Sequence, residues 1–564
     1  MKTRNKLYDK SRLRLLCLLT ALLGLFGAGQ TWAGNPTTLT VGGTDVLNGG
    51  YWTTDAESGT LTEASADNYN VYYDGSGTLT LKDATINGTN TTGHVGAGIY
   101  AEGDLTIVLE GSSTVTGVQD PNGESQSIRV SENLTIRGSG SLTAQGAETS
   151  SGSSSGIFVI GSFTQQGGRV TAIGGNVNAN QTSEGLYVYG STVTVQSGTL
   201  TATGGDTSGS SYGIYARGTV TVGSAAVTAT GGSGNASYGL HIDSSSPSVN
   251  LSDNGSLTAR SESADRAGGI YVLNFFGSAG AVTVGDNSTL LANSVILYDN
   301  SFNEKPLAPT GNGSWLIYGQ SNQTSAVGGS YTLTDNLTIE SGNTLTIPAG
   351  STLTIPNDKT LTADANQLVV NGELVLEGTF ENAKELEGSG NLVLGEITLT
   401  DDKGISEYAG YHLKLKSKKV TYVRALSDNS QYGTICLPFV PTSVADGQVT
   451  YYQVEKLGSN EITLVETDFE AGKPLFYQTS GTGSITFSAE SAAGVELVTI
   501  PATDNFMVGT MREVIPNAGY FLKNNNFYPI ANGDKVKVKP FRAYVKGQND
   551  ASQASVMSVN VARP

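Results

Sequence analysis

Residues 98–111 read GIYAEGDLTIVLEG, two short runs of alternating apolar and polar residues joined at Gly103 and closed by Gly111. Alternation with period two is the pattern of a strand with one buried face, and glycine at each end marks a corner. The unit returns along the N-terminal half. Taking the apolar residue after a small or glycine position gives Val71, Ile99, Ile128, Ile157, Leu186, Ile214, Leu240 and Ile270, spaced 28, 29, 29, 29, 28, 26 and 30 residues apart. A third run such as GTLTATGG (198–205) completes the unit. One unit cannot bury its own apolar face, so successive units must stack and share a core. The expected fold is all-β: a parallel β-helix over residues 34–330 with coils of about 28 residues.

Composition agrees. The chain has 564 residues with 73 Gly and only 15% charged side chains, and helical periodicity is missing after residue 33. Thr, Val, Ile and Tyr suit pleated strands, while Gly, Asn and Ser suit corners. After residue 331 the period changes: Leu337, Leu345, Leu353 and Leu361 recur every eight residues. Eight residues make about one strand and a corner, so about three such units should close one coil. Residues 331–410 therefore read as a shorter-sided continuation of the solenoid, and 295–330, with Pro306, Pro309 and Trp315, as a loop or irregular coil.

Residues 1–33 form a targeting segment. Lys2, Arg4, Lys6, Lys10, Arg12 and Arg14 precede the apolar run Leu15 to Ala28, and Thr31-Trp32-Ala33 supplies a small-x-small cleavage site. That is the pattern of a cleaved secretory signal, and the apolar run is too short to anchor in a bilayer. A secreted or cell-surface protein with no transmembrane span in the mature chain is expected. Its removal leaves one cysteine, Cys436, which cannot form an intrachain disulfide and fits a buried apolar role.

Charge divides the mature chain. Residues 34–410 carry 36 acidic and 11 basic side chains, whereas residues 411–564 carry 13 and 15, within a net charge of −18 for the whole sequence. A boundary near residue 410, where KLKSKK (414–419) begins, follows from this shift. Nucleic acid is a poor partner for a chain without a basic face.

The segment 411–564 contains YGTICLPFVP (432–441), AGKPLFYQ (471–478), NAGYFLKNNNFYPI (517–530) and KPFRAYVKG (539–547). These stretches resemble the C-terminal β-sandwich module of secreted Bacteroidetes proteins, which implies location and architecture but no catalytic residues. The repeats resemble, more loosely, right-handed parallel β-helix proteins that bind carbohydrate or act as adhesins.

The side-chain ladder points to a surface. If each anchor faces inward, so does the residue two further on: Ala101, Val130, Val159, Val188, Ala216, Ile242 and Val272. The residues between then face outward: Tyr72, Tyr100, Arg129, Phe158, Tyr187, Tyr215, His241 and Tyr271. Stacked coils would space them by about 4.8 Å along a strip of roughly 35 Å. Such a strip, with Tyr189 beside it, would suit a polysaccharide or a host or cell-surface glycan, because aromatic faces stack on sugar rings. Ring-on-ring packing offers a purely structural explanation of the same ladder, and a protein contact a third. The next outward row, Glu102, Ser131, Ile160, Tyr189, Arg217, Asp243 and Leu273, is mixed, and places Arg217 where it can stack on Tyr189 and pair with Asp243.

Catalysis is the competing class. Polysaccharide lyases and glycoside hydrolases need acids converging on one face. The repeats bring few into register, and His94, His241 and His412 have no metal spacing. No catalytic or metal-ligating residue is assigned, and the reading is non-enzymatic. Corner loops such as DPNGE (120–124), GGNVNAN (174–180) and GGDTSGS (204–210) offer oxygens to Ca²⁺, but a site needs six to eight converging, and turn geometry explains Asn and Asp at corners.

Overall fold

The computed structural model describes residues 34–89, 96–120, 122–261, 264–273, 280–298, 304–319, 325–364, 366–381, 386–402, 404–405, 413–426, 432–458, 460–480, 482–531, 533–547 and 556–561. The segment 1–33, expected to be a secretory signal, His94 and His412 lie outside these residues. The chain divides into two compact units, Met1–Asn312 and Gly313–Pro564, and is all-β, with a solenoid of about nine turns and a sheet-rich C-terminal region.

In the first unit, eight strands stack in parallel along one face: Ile99–Glu102, Ser125–Val130, Ser154–Val159, Thr182–Val188, Ser210–Ala216, Gly234–Asp243, Ala264–Leu273 and Val295–Tyr298. Their register pairs Ile99, Ile128, Ile157, Leu186, Ile214, Leu240, Ile270 and Val295 in one inward column. Two further faces carry their own columns. One runs Leu105, Leu134, Phe163, Val193, Val220, Val249 and Val282, the other Leu142, Val170, Leu200, Val227, Leu257 and Leu290. All these side chains are at most 2% exposed. Each contributes on the order of 1.5–3 kcal/mol by leaving water.

A column of buried serines ties the coils together at one corner. Ser183 donates to the Gly175 carbonyl and accepts from the Gly205 amide, both at 2.8 Å. Ser154 repeats this with Ala147 and Gly175, and Ser125 and Ser211 accept from Ala147 and Gly232. Each hydroxyl thus satisfies corner amides that would otherwise be buried and unpaired.

The two ends of this stack are covered by antiparallel pairing. Thr38–Val41 runs antiparallel to Ile99–Glu102, and Glu304–Pro306 antiparallel to Val295–Tyr298. An open parallel edge would recruit further strands, and these caps occupy it. Two sequence expectations change here. Val71 is no rung of the ladder, since Val71–Tyr73 pairs antiparallel with Gly50–Thr54 and Thr78–Lys82 in another sheet. Residues 295–298, expected in a loop or irregular coil, form the eighth rung; a short apolar run there outweighs the prolines that follow.

The second unit begins with the short-sided coils. Leu337 pairs with Leu361, so the markers Leu337, Leu345 and Leu353 fall on three successive sides and the fourth begins the next coil. The column Leu353, Leu374, Leu392 and Leu415 then runs without a break into the strand Lys414–Ala425. The charge shift near residue 410 is therefore not a break in the sheet. Lys414–Ala425 also pairs antiparallel with Ser484–Leu497, and a nine-stranded sheet from Tyr432–Ile435 to Met507–Gly509 completes the unit. Its core gathers Phe476, Phe527, Ile462, Leu464, Met507 and Met557. Cys436 is buried, donates to the Gly472 carbonyl at 3.2 Å, and has its pKa pushed up to about 12 by burial. That fits the inert role expected of it.

Candidate functional site

The outward row of the first unit follows the expected spacing. Ring centroids lie 5.0 Å apart for Phe158–Tyr187, 4.8 Å for Tyr187–Tyr215, 4.9 Å for Tyr215–His241 and 5.3 Å for His241–Tyr271. The planes, however, cross at 60°, 67°, 80° and 80°. Rings packed edge to face hide their faces against one another, so this row is not a flat platform for sugars. Tyr100, His241 and Tyr271 are buried, whereas Phe158, Tyr187 and Tyr215 are half-buried. Tyr72 lies apart from this row and stacks on Tyr51 at 4.4 Å with Tyr69 at 6.1 Å.

A second outward row explains the burial. The triplets Ser154-Ser155-Gly156, Ser183-Glu184-Gly185, Ser211-Tyr212-Gly213 and Ser237-Tyr238-Gly239 precede the anchors. The serine faces in, the middle residue out, and the glycine in, where strict alternation would put the anchor outward. The pairing passes over Gly185 and Gly213, and the anchor returns inward. Both the middle residue and the one three further on then face outward, side by side. Only glycine fits the crowded position: a Cβ at Gly213 would sit 2.4 Å from the Thr230 amide nitrogen and 2.6 Å from the Gly239 carbonyl oxygen. Glu184, Tyr212 and Tyr238 are the outward-face residues that simple period-two reading misses, and the recurring Ser-x-Gly triplet is the signal that marks them.

The two rows divide the face into a closed and an open part. In the closed part, Tyr212, Tyr238, Tyr271 and Ile296 form a buried cluster on the outside of the solenoid. His241 sits in it, 5.0 Å from Tyr212, 5.5 Å from Tyr238 and 5.3 Å from Tyr271. Neither of its ring nitrogens has a hydrogen-bond partner, and burial lowers its pKa to about 3, so it stays neutral. A base or metal ligand needs an accessible nitrogen, and His241 acts here as a rung.

In the open part, a concavity of about 460 Å³ spans four coils and is lined by Glu124, Gln126, Arg129, Phe158, Glu184, Tyr187, Tyr212 and Tyr215, among others. The Arg129 guanidinium lies 4.9 Å from the Phe158 ring centroid. Glu184 is 4% exposed, and Ser155 donates to its Oε2 at 2.8 Å. Burial, with the nearby Glu124 charge in the same sense, raises its pKa to about 7 against the pull of the Thr182 and Ser155 hydroxyls. Burial likewise pushes the Tyr187 phenol up to about 12.

The next row outward is the exposed one. Tyr189 is 47% exposed and carries the Arg217 guanidinium 3.9 Å from its ring centroid. Asp243, the second partner expected for Arg217, accepts instead from the Tyr215 hydroxyl at 3.2 Å. At the first coil, Glu102 accepts from Tyr100 at 2.7 Å and from Thr38 of the cap at 2.8 Å.

The corner loops suggested for Ca²⁺ spend their oxygens on backbone amides. Asp120 Oδ1 accepts from the amides of Asn122 and Glu124, Asn176 Oδ1 from Asp206, and Asp206 Oδ1 from Ser233. Among the described residues, no three His, Cys, Asp or Glu side chains come together as a metal site would require. Nor is any described helix long and apolar enough to cross a membrane. No protein-family model, curated protein or solved structure matches the chain. Its class is defined by the fold: a parallel β-solenoid joined to a sheet-rich C-terminal unit.

Proposed function

We propose that this is an exported, non-enzymatic glycan-binding protein that seats a short stretch of polysaccharide or cell-surface glycan in the concavity of the open part, between Arg129, Phe158, Tyr187 and Tyr215. The observation that carries the reading is the concavity itself. Its volume lies in the roughly 300–1,000 Å³ range of small-ligand sites, and it combines aromatic walls with convergent polar groups. The secretory-type N-terminus and the resemblance of the C-terminal segment to a secreted Bacteroidetes module support export. Adhesion through a host or bacterial glycan is the role that follows.

The test is binding of the mature chain to a panel of neutral and acidic polysaccharides, beside Tyr187→Ala with Tyr215→Ala. Binding that is lost in a still-folded variant supports the proposal. A wild type that binds no member of the panel overturns it.

One observation favours a second reading. Glu124 and Glu184 face the same concavity, and Glu184 keeps its proton near neutrality. Such a pair would cleave a glycosidic bond: Glu184 protonates the leaving oxygen as the C–O bond breaks, and Glu124 takes a proton from the attacking water, leaving a hydroxyl on each fragment. New reducing ends, released by the wild type and lost in Glu184→Gln, would establish it in place of the binding reading.

A further inference from the structure

The second unit holds a feature that the solenoid does not explain: buried positive charge without a matching carboxylate. Arg424 is 6% exposed, and its Nη1 donates to the Thr434 carbonyl. Its guanidinium lies 4.8 Å from the Tyr477 ring centroid. Arg542 pairs through Nη2 with Asp401 Oδ2, while its buried Nε has no hydrogen-bond partner. The other oxygen of Asp401 accepts from Tyr422 at 2.7 Å. No carboxylate among the described residues lies within 4.0 Å of Arg424. Burial pulls the Arg424 pKa down, and the Arg542 charge acts in the same sense, yet a guanidinium keeps its proton in proteins. The buried Arg424 thus has no carboxylate in reach, and beside it Arg542 has one, an arrangement that a further negative group would complete.

The space for such a group is present. A cavity of about 500 Å³ is lined by Arg424, Arg542 and Tyr477 at its base and by Lys523, Lys537 and Lys539 at its rim. Lys537 and Lys539 have partners in Glu513 and Asp402, both on the exposed surface. The Lys523 side chain has no ion-pair or hydrogen-bond partner among the described residues and is exposed.

We infer that this cavity is an oxyanion-binding site, taking a carboxylate, sulfate or phosphate group between Arg424, Arg542 and Lys523. The planar forks of the two arginines suit the paired oxygens of such groups, and the lysine adds a point charge at the mouth. The site would give a strongly acidic protein one place that attracts anions, either as free ions or as the acid group of a charged sugar.

Calorimetric titration of the mature full-length chain with D-glucuronate, inorganic sulfate and inorganic phosphate, and with D-glucose as the uncharged control, tests the inference. Saturable binding of at least one anion but not of glucose is expected. Lys523→Gln, which changes only an exposed side chain, should weaken it by about tenfold, and Arg424→Met should abolish it. Glucuronate alone binding identifies the source as a sugar acid; sulfate or phosphate binding equally well identifies a free oxyanion. No saturable binding of any of the three, or binding unchanged in Lys523→Gln, overturns the inference. Because the Tyr187→Ala and Tyr215→Ala changes lie in the other unit, loss of glycan binding there leaves this result untouched.

Discussion

The outer face of the solenoid and the cation-lined cavity of the second unit bury polar groups in opposite ways. On the solenoid, polar side chains recur in columns, such as the corner serines Ser125, Ser154, Ser183 and Ser211. Neighbours above and below are often alike, so Ser and Asn satisfy corner groups coil by coil: Asn133 donates its backbone N–H to Asp104 Oδ1, and its own Oδ1 accepts from the Ser162 amide. Two groups that do not repeat, Glu184 and His241, are pushed by burial towards their neutral forms. In the second unit nothing repeats, and Asp401, Arg424, Arg542 and Tyr422 keep their charges or hydrogen bonds through unique contacts. A repeat tolerates the loss of one rung; a unique network does not.

The largest test of that contrast is Asp401→Ala. It leaves Arg542 without its anion beside the buried Arg424 and should cost about 3 kcal/mol in chemical denaturation of the second unit. A loss below about 1 kcal/mol would mean that the guanidiniums are already solvated, and the contrast would fail.

Glu184→Gln should stabilise the solenoid, and only at the alkaline side. The folded pKa of about 7 lies above the ordinary 4.5, so folding retains a proton between these values. Stability from this group is therefore fully present below about pH 4.5, falls as pH rises, and reaches its minimum above 7. The variant should gain up to about 3 kcal/mol at pH 8 and nothing near pH 4. A pH-independent effect would show that the carboxyl titrates normally.

His241→Phe tests the closed part with the opposite sign. The folded pKa of about 3 lies below the ordinary 6.5, so the wild type is destabilised as pH falls from 6.5 towards 3. Phenylalanine also removes two unpaired ring nitrogens, a gain of about 1 kcal/mol even at pH 8. Melting curves should show an advantage that widens below pH 6.5, while a variant less stable than wild type at every pH would mean that the imidazole has partners.

Arg217→Ala, at the exposed rung, should cost less than about 1 kcal/mol, the range of a solvated cation–π contact. A larger loss would place Arg217 among the unique contacts rather than the repeated ones.

Much of this architecture was legible in the sequence. The seven anchors from Ile99 to Ile270 stack as their spacing predicts, because burial of one face fixes the register and a slip of one residue would expose the whole column. The eight-residue markers likewise resolve into three sides per coil. Val71 misled because the same apolar-alternating pattern serves an antiparallel hairpin as well as a coil, and nothing local distinguishes the two. The outward aromatic row was legible as a row, but not its burial. Tyr212 and Tyr238 come to lie beside Tyr215 and His241 only because Gly213 and Gly239 break the alternation. That shift depends on the approach of a neighbouring coil's backbone.

The sequence by itself determined the class of fold, the coil length and the acidic character of residues 34–410, since each follows from periodicity or composition. Only the tertiary structure decided which half of the aromatic row stays open, that Glu184 and Glu124 line one concavity, and that Arg424 lies beside an arginine whose carboxylate it does not share. Arg542 lies 141 residues from Asp401 and 118 from Arg424. Contacts of that separation leave no local pattern, because chain folding and not spacing brings the charges together.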